Sequence, residues 1–313
     1  MSPYSIEIII FCIRNYSPIF QRNLTDTYSN VQTRERDKRV LTSGFKVHAP
    51  EKLDLLSRYT DRKHNLQRWP ICSVDAEEVG KFTGRANEWW NGTYSVLQAM
   101  NTLRVPLVRD GILYASGITS RKACPLEGFK IIDVGCGGGI LSEPLARLGA
   151  SVTGLDPGLE NVEAAIEHAS NDDEIKYKVN YVCDTIENFA MISSGQFDAV
   201  VCSEVIEHVA NVPTFVNSCV ELTKEGGSLF FTTINRTSIS YVAAILGAEY
   251  ILNIVPRGTH DWNKFVTPKE LSDMLQQLNC RVVSVEGMMY NPLTKTWSWC
   301  GSSSNMYALH AIK

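Results

Sequence analysis

Two carboxylates and an imidazole stand close together in CSEVIEHV, at Glu204, Glu207 and His208, spaced i, i+3, i+4. On a helical turn that spacing puts all three on one face. Such a donor set suits a divalent cation, Mg2+ before Zn2+ or Mn2+ because oxygen ligands outnumber the single nitrogen. A second chemistry is written in DVGCGGG, Asp133 to Gly139. Glycines there let the backbone pass close to a ligand, and the helix that follows turns its positive end toward it. A dinucleotide fingerprint needs G-x-G-x-x-G. From Gly135 the last position is Ile140, and from Gly137 it is Ser142, so neither register fits a dehydrogenase. Two further acids follow apolar runs: Asp156 in VTGLDP, placed to accept both hydroxyls of a ribose, and Asp184 in YVCDT, placed to meet an adenine edge. Each acid alone reads more often as a turn former. Glycine loop, acid and acid, in that order, converge on one crevice.

The elements that would carry these residues alternate. FKIIDVGC, SVTGLDP, NYVCD, FDAVVCSE and GSLFFTTIN read as strands, and ILSEPLARLG, GLENVEAAIEHAS and PTFVNSCVELTKEGG as helices between them. Unbroken apolar strands are buried on both faces, which predicts a mostly parallel α/β sheet covered by helices, doubly wound. A helix capped at Thr267 and two strands, CRVVSVEGM and NMYALHAIK, close the chain as an antiparallel edge. We therefore expect seven strands with one reversed at the edge. Before them, SVDAEEVGKFTGRANEWWNG and YSVLQAMNTLRVPLVRDGI predict helices, the second interrupted at Pro106. They read either as a lid over a site (residues 73–124) or as plain helical packing of their tryptophans.

The formal charge of -4 argues against a nucleic-acid partner, whose binding needs a basic surface. No apolar run approaches the roughly 20 residues that cross a bilayer, so we expect a soluble or peripheral protein. The nine cysteines form no C-x-x-C pair and read as reduced thiols. Residues 1–72 do not read as folded domain. Seven basic residues, from Arg14 to Lys46, stand against Glu7, Asp26, Glu35 and Asp37 in the first fifty positions. That composition is compatible with a mitochondrial transit segment or with an unaddressed leader.

The motif order resembles the class I S-adenosylmethionine-dependent methyltransferases. FTGRANEWWNG, LQAMNTLRVPLVRDG, CSEVIEHVANVPTF and VPRGTHDWNKFVTPKEL narrow this. From about residue 75 onward the chain resembles the ubiquinone-biosynthesis O-methyltransferases, in their mitochondrial form. The resemblance implies a Rossmann-like fold with an N-terminal helical lid, and methyl transfer to catechol hydroxyls of polyprenyl dihydroxybenzoate and demethylubiquinol. It implies that Asp133, Gly135 and Gly137 line the methionine end of the cofactor, Asp156 the ribose and Asp184 the adenine, with Arg104 and Ser203 as further contacts. Pro157 follows the ribose acid where other members vary. The resemblance also implies Mg2+ on Glu204, Glu207 and His208, although an EH pair after the fourth strand occurs in methyltransferases without metal. If no metal serves, a histidine must accept the phenolic proton, and His260 in GTHDW is the candidate beside Glu204. The alternative role for His260 is to hold Asp261 and Trp262 in place.

ISYVAAILGAEYILNIVPRG, within an insert at 236–266, reads as a helix lying in a membrane surface, or as a core or dimer contact. The expectation is a peripheral enzyme on the matrix side of the mitochondrial inner membrane, working within a multi-protein ubiquinone-biosynthesis complex. Alternatives are a methyltransferase of another small phenol or lipid, and a non-catalytic subunit that keeps the cofactor pocket.

Overall fold

The computed structural model of the chain describes residues 73–120, 122–240 and 261–313. The leader, most of the insert and His260 lie outside the described residues.

Five parallel strands form the centre: β1 (Lys130–Val134), β2 (Ser151–Asp156), β3 (Val179–Cys183), β4 (Phe197–Ser203) and β5 (Thr223–Ile234). Helices α1 (Ala76–Thr83) and α2 (Ser95–Ala115) precede them. Between them run α3 (Ser142–Arg147), α4 (Leu159–Ser170), α5 (Ile186–Ser193) and α6 (Val212–Leu222). After α7 (Pro268–Gln277) come β6 (Arg281–Asn291), β7 (Thr296–Cys300) and β8 (Met306–Ile312). The sheet order is β3-β2-β1-β4-β5-β8-β6-β7.

Alternation within buried strands explains the unbroken apolar runs. On β4, Ala199 and Val201 join one core with Ile131, Leu145 and Phe230, while Val200 and Cys202 join the other with Phe215, Leu271 and Leu309. Successive side chains point to opposite faces, so a sheet covered twice needs apolar residues at every position. The chain moves outward from β1 to β3, then returns to β4 on the other side of β1. That reversal opens a crevice at the carboxyl ends of β1 and β4, where ligands of open α/β sheets bind.

Three features differ from the sequence expectation. The sheet has eight strands, because TWSWC forms β7 and pairs antiparallel with β6. Its Trp297 is buried beside Met100 and Leu103 of α2, and the indole nitrogen donates to the Val96 carbonyl at 2.9 Å. The reversed edge strand is β7, while NMYALHAIK forms β8, a second reversed strand lying inside the sheet between β5 and β6. Finally, α2 runs through Pro106 without ending. The carbonyl left without its usual donor is that of Thr102, on the exposed face, where water can satisfy it. The described cysteines are free thiols, and no described helix is long and apolar enough to cross a membrane.

Candidate cofactor and active site

The loop after β1 is fixed from below. Gly135 and Cys136 both donate to the Leu155 carbonyl of β2, at 2.7 and 3.1 Å. Gly135 has φ +70° and Gly137 φ +53°, the left-handed region that glycine tolerates. Added side chains would also collide: a Cβ on Gly135 would lie 2.5 Å from Val205, and one on Gly137 2.5 Å from the Trp89 ring. Here the backbone itself forms the wall of a cradle.

Asp156, at the end of β2, is buried and takes three donors. Gly137 N–H reaches Oδ2 at 3.0 Å, while Gly158 N–H and the Asn161 amide reach Oδ1 at 2.8 and 3.1 Å. Burial pushes its pKa up against these bonds. Asp184, half-buried at the end of β3, accepts from Thr185 N–H at 2.8 Å and Asn188 at 3.0 Å. Gly135, Gly137, Asp156 and Asp184 line one cavity of about 120 Å3, together with Glu204 and His208.

Asp133, Arg104 and Ser203 stand behind that cavity and form its support. Ser142 donates to Asp133 at 2.6 Å, and burial raises the Asp133 pKa to about 6. Arg104 is buried, and desolvation lowers it to about 10 against the pull of Glu204 and Asp133. Its guanidinium donates to Asn101, to the Leu97 carbonyl and, at 2.8 Å, to Ser203. Ser203 and Thr232 are 2.7 Å apart, and Thr232 is 2.8 Å from Glu204. A carboxylate only accepts and a guanidinium only donates, so the chain has one direction: Arg104 to Ser203 to Thr232 to Glu204. It offsets the charge of the half-buried Glu204 carboxylate without direct contact.

The expected metal triad is corrected here. Glu204 has φ +58°, left-handed and unusual for a side chain with a Cβ, and the helical turn starts only at Ile206 as a short 3-10 segment. The i, i+3, i+4 phase therefore does not exist. Glu204 is held by Thr232 and Glu207 by Thr233, at 2.9 Å. His208 faces α1 instead, with Nδ1 3.0 Å from Glu78 and its ring edge-on to Phe82. Among the described residues, no three His, Cys, Asp or Glu side chains are grouped to hold a metal ion. Burial raises both glutamates, and the Glu204 charge adds to the rise at Glu207.

Other site residues had weak sequence signals or none. Trp89 lies over the glycine loop and bonds Asn161 at 3.0 Å; Trp90 bonds the Gly138 carbonyl at 2.9 Å and stacks flat on His168. EWW was visible as an aromatic cluster, but nothing in LENVEA marked Asn161. Glu78 and Lys264, which tie α1 over the cavity, read as ordinary surface charges.

A glycine cradle at β1, an acid at β2 and an acid at β3, opening at the reversal point, fit a nucleoside bearing an amino-acid tail. They define an S-adenosylmethionine-dependent methyltransferase of class I. Comparison agrees, since a methyltransferase-domain family matches residues 101–285. The crystal structure of magnesium protoporphyrin IX methyltransferase from Synechocystis PCC 6803 with bound SAH matches with a TM-score of 0.52 at 19% identity. That match covers 75% of this chain and 97% of the other, and bears on the fold alone. The mitochondrial ubiquinone biosynthesis O-methyltransferase of Rattus norvegicus is 45% identical over 77% of this chain and 70% of its own length. The Homo sapiens protein of that name is 45% identical over 77% of this chain, which spans 66% of it. The ubiquinone biosynthesis O-methyltransferase of Methylobacterium nodulans is 44% identical over 76% of this chain and 95% of its own length. The chain belongs to the ubiquinone biosynthesis O-methyltransferase family.

Proposed function

We propose that this chain methylates a catechol hydroxyl of polyprenyl dihydroxybenzoate and of demethylubiquinol. The observation that carries this beyond family membership is Glu204, a half-buried carboxyl on the wall that also holds Gly135 and Asp156. S-adenosylmethionine held by Gly135, Gly137, Asp156 and Asp184 would supply an electrophilic methyl group for transfer to the phenolic oxygen. The chain's own part is alignment and proton removal. Glu204, its pKa raised above the usual carboxylate range by desolvation, is suited to take a phenolic proton. The donor chain from Arg104 holds that carboxylate at one rotamer. His260 remains a second candidate acceptor.

Mg2+ on Glu204, Glu207 and His208 was the other sequence reading; their present arrangement does not fit it, and no step here passes through a metal. The mitochondrial names of the animal relatives support a mitochondrial protein. We extend this to peripheral attachment on the matrix face of the inner membrane, through the 236–266 insert, in a multi-protein complex. A lipid-tailed acceptor requires contact with a bilayer.

The test is methyl transfer from labelled S-adenosylmethionine to a short-tailed dihydroxybenzoate, with and without EDTA, and with Glu204→Gln. Chelator-insensitive turnover that falls about 100-fold in Glu204→Gln supports the protein base. Turnover lost to EDTA and restored by Mg2+ would overturn it and require the three side chains to regroup. Cofactor binding with no turnover moves the acceptor to another phenol or lipid, or leaves a non-catalytic subunit.

A further inference from the structure

Asn161 sits between the ribose acid and the aromatic segment over the glycine loop, and chemistry fixes its orientation. The Trp89 indole N–H can only donate and the Asp156 carboxylate can only accept. The amide oxygen must therefore face Trp89, at 3.0 Å, and the amide nitrogen Asp156, at 3.1 Å. Neither a carboxylate nor an aliphatic group could serve both. The residue is 2% exposed, so water does not substitute for either partner. Trp89 in turn lies against Gly137 and Gly138, where a Cβ would come within 2.4–2.6 Å of its ring system, and it stacks on Tyr94 at 4.1 Å.

A count of donors gives this bridge a consequence. A carboxylate offers about four acceptor positions. Asp156 Oδ1 already takes Gly158 N–H and Asn161, and Oδ2 takes Gly137 N–H. A ribose diol brings two donors more, one beyond capacity. The two glycine N–H groups are fixed in tight backbone turns, whereas the Asn161 amide turns about side-chain bonds. It is the donor that yields.

We propose that Asn161 is a positioning residue that couples the ribose of the cofactor to Trp89. As the diol takes Asp156, the amide leaves Oδ1, and the indole bonded to its other end resets over the glycine loop. The 85–94 segment thereby responds to the nucleoside end of the cofactor while covering its methionine end. This rests on the cofactor assignment and not on the identity of the acceptor.

The experiment titrates the full chain with SAH and with its 2′,3′-dideoxy analogue by calorimetry, and follows hydrogen exchange over 85–94. In the wild type SAH should change exchange in that segment and the dideoxy analogue should not. In Asn161→Leu the diol no longer displaces a donor, so the affinity ratio of SAH to its analogue should rise about 5-fold, the size of one hydrogen bond. The exchange response should vanish. Trp89→Phe, which keeps an aromatic ring and removes the indole N–H, should also abolish the response, and serves if Asn161→Leu does not fold. An unchanged ratio, or a response that persists in both variants, overturns the coupling. Failure of the wild type to bind SAH would instead overturn the cofactor assignment.

Discussion

Asp156 and Asp133 are both buried acids near the same cradle, yet their predicted sensitivities differ. Asp156 lines the cavity, and if it holds the ribose as proposed, Asp156→Ala should remove two charge-assisted hydrogen bonds to a diol. Such bonds contribute about 1.5–3 kcal/mol each. Calorimetry with SAH should show a loss of roughly 100-fold or more, and binding within threefold of wild type would remove Asp156 from the site. Asp133 lies behind the wall, and its effect is read in stability. Its folded pKa is raised from 3.8 to about 6, mainly by desolvation. A raised acid disfavours the folded state once ionised, so the penalty is absent below the unfolded value, grows as pH rises through the window and is complete above the folded value. Asp133→Asn should therefore gain roughly 2 kcal/mol relative to wild type between about pH 4.5 and about pH 7.5 in urea unfolding. A difference that does not change with pH would contradict this. The sequence disclosed these acids because a strand end is a position that periodicity can locate. It misdirected the reading of Glu204, Glu207 and His208 because their directions are chosen by Thr232, Thr233 and Glu78, all distant in sequence.

At the scale of elements, the question is what keeps α1 over the cavity. Asp75 caps the helix by accepting from Glu77 and Glu78 N–H, and Lys264 reaches back to Asp75 at 2.8 Å and Glu78 at 3.1 Å. The Lys264 side chain is 30% exposed, so solvent screens these pairs and Lys264→Met should alter global stability by no more than about 1 kcal/mol. Local attachment should suffer more. Proteolysis near 75–85 should accelerate and the KM for S-adenosylmethionine should rise several-fold while kcat holds; an unchanged KM would leave α1 without a part in cofactor retention. Strand β7 makes a contrasting case, because its anchor is apolar. Trp297→Ala empties a buried site between β7 and α2 and should cost about 3–5 kcal/mol in urea unfolding. A loss under 1 kcal/mol would mean that the sheet is indifferent to its eighth strand. This strand escaped the sequence reading although TWSWC alternates, since five residues are too short a run for periodicity to separate a strand from a loop. The inner place of β8 was likewise hidden: NMYALHAIK shows that it is buried, not which neighbours it has.

The whole chain divides by what its relatives share. The Methylobacterium nodulans protein is matched over 95% of its length by 76% of this chain, and the Escherichia fergusonii protein over 98% by 79%. About a quarter of the chain is thus additional to what a bacterial member needs. Residues 73–313 contain both sheet-flanking cores, the aromatic cluster on the glycine loop and every described residue of the cavity. Their edge is tied down, since Ser73 N–H donates to Glu187 at 3.1 Å and the Ser73 carbonyl accepts from Ala210 at 2.7 Å. The 73–313 fragment should therefore fold, bind SAH within about twofold of the full chain and unfold at the same urea midpoint. Residues 1–72, basic at their start against the acidity of the whole, should by contrast carry a fused fluorescent protein into mitochondria. These two arms separate the possibilities. A fragment that binds beside a fusion left in the cytosol would make 1–72 a leader without that address. A fragment that cannot bind would make part of 1–72 a working piece of the enzyme.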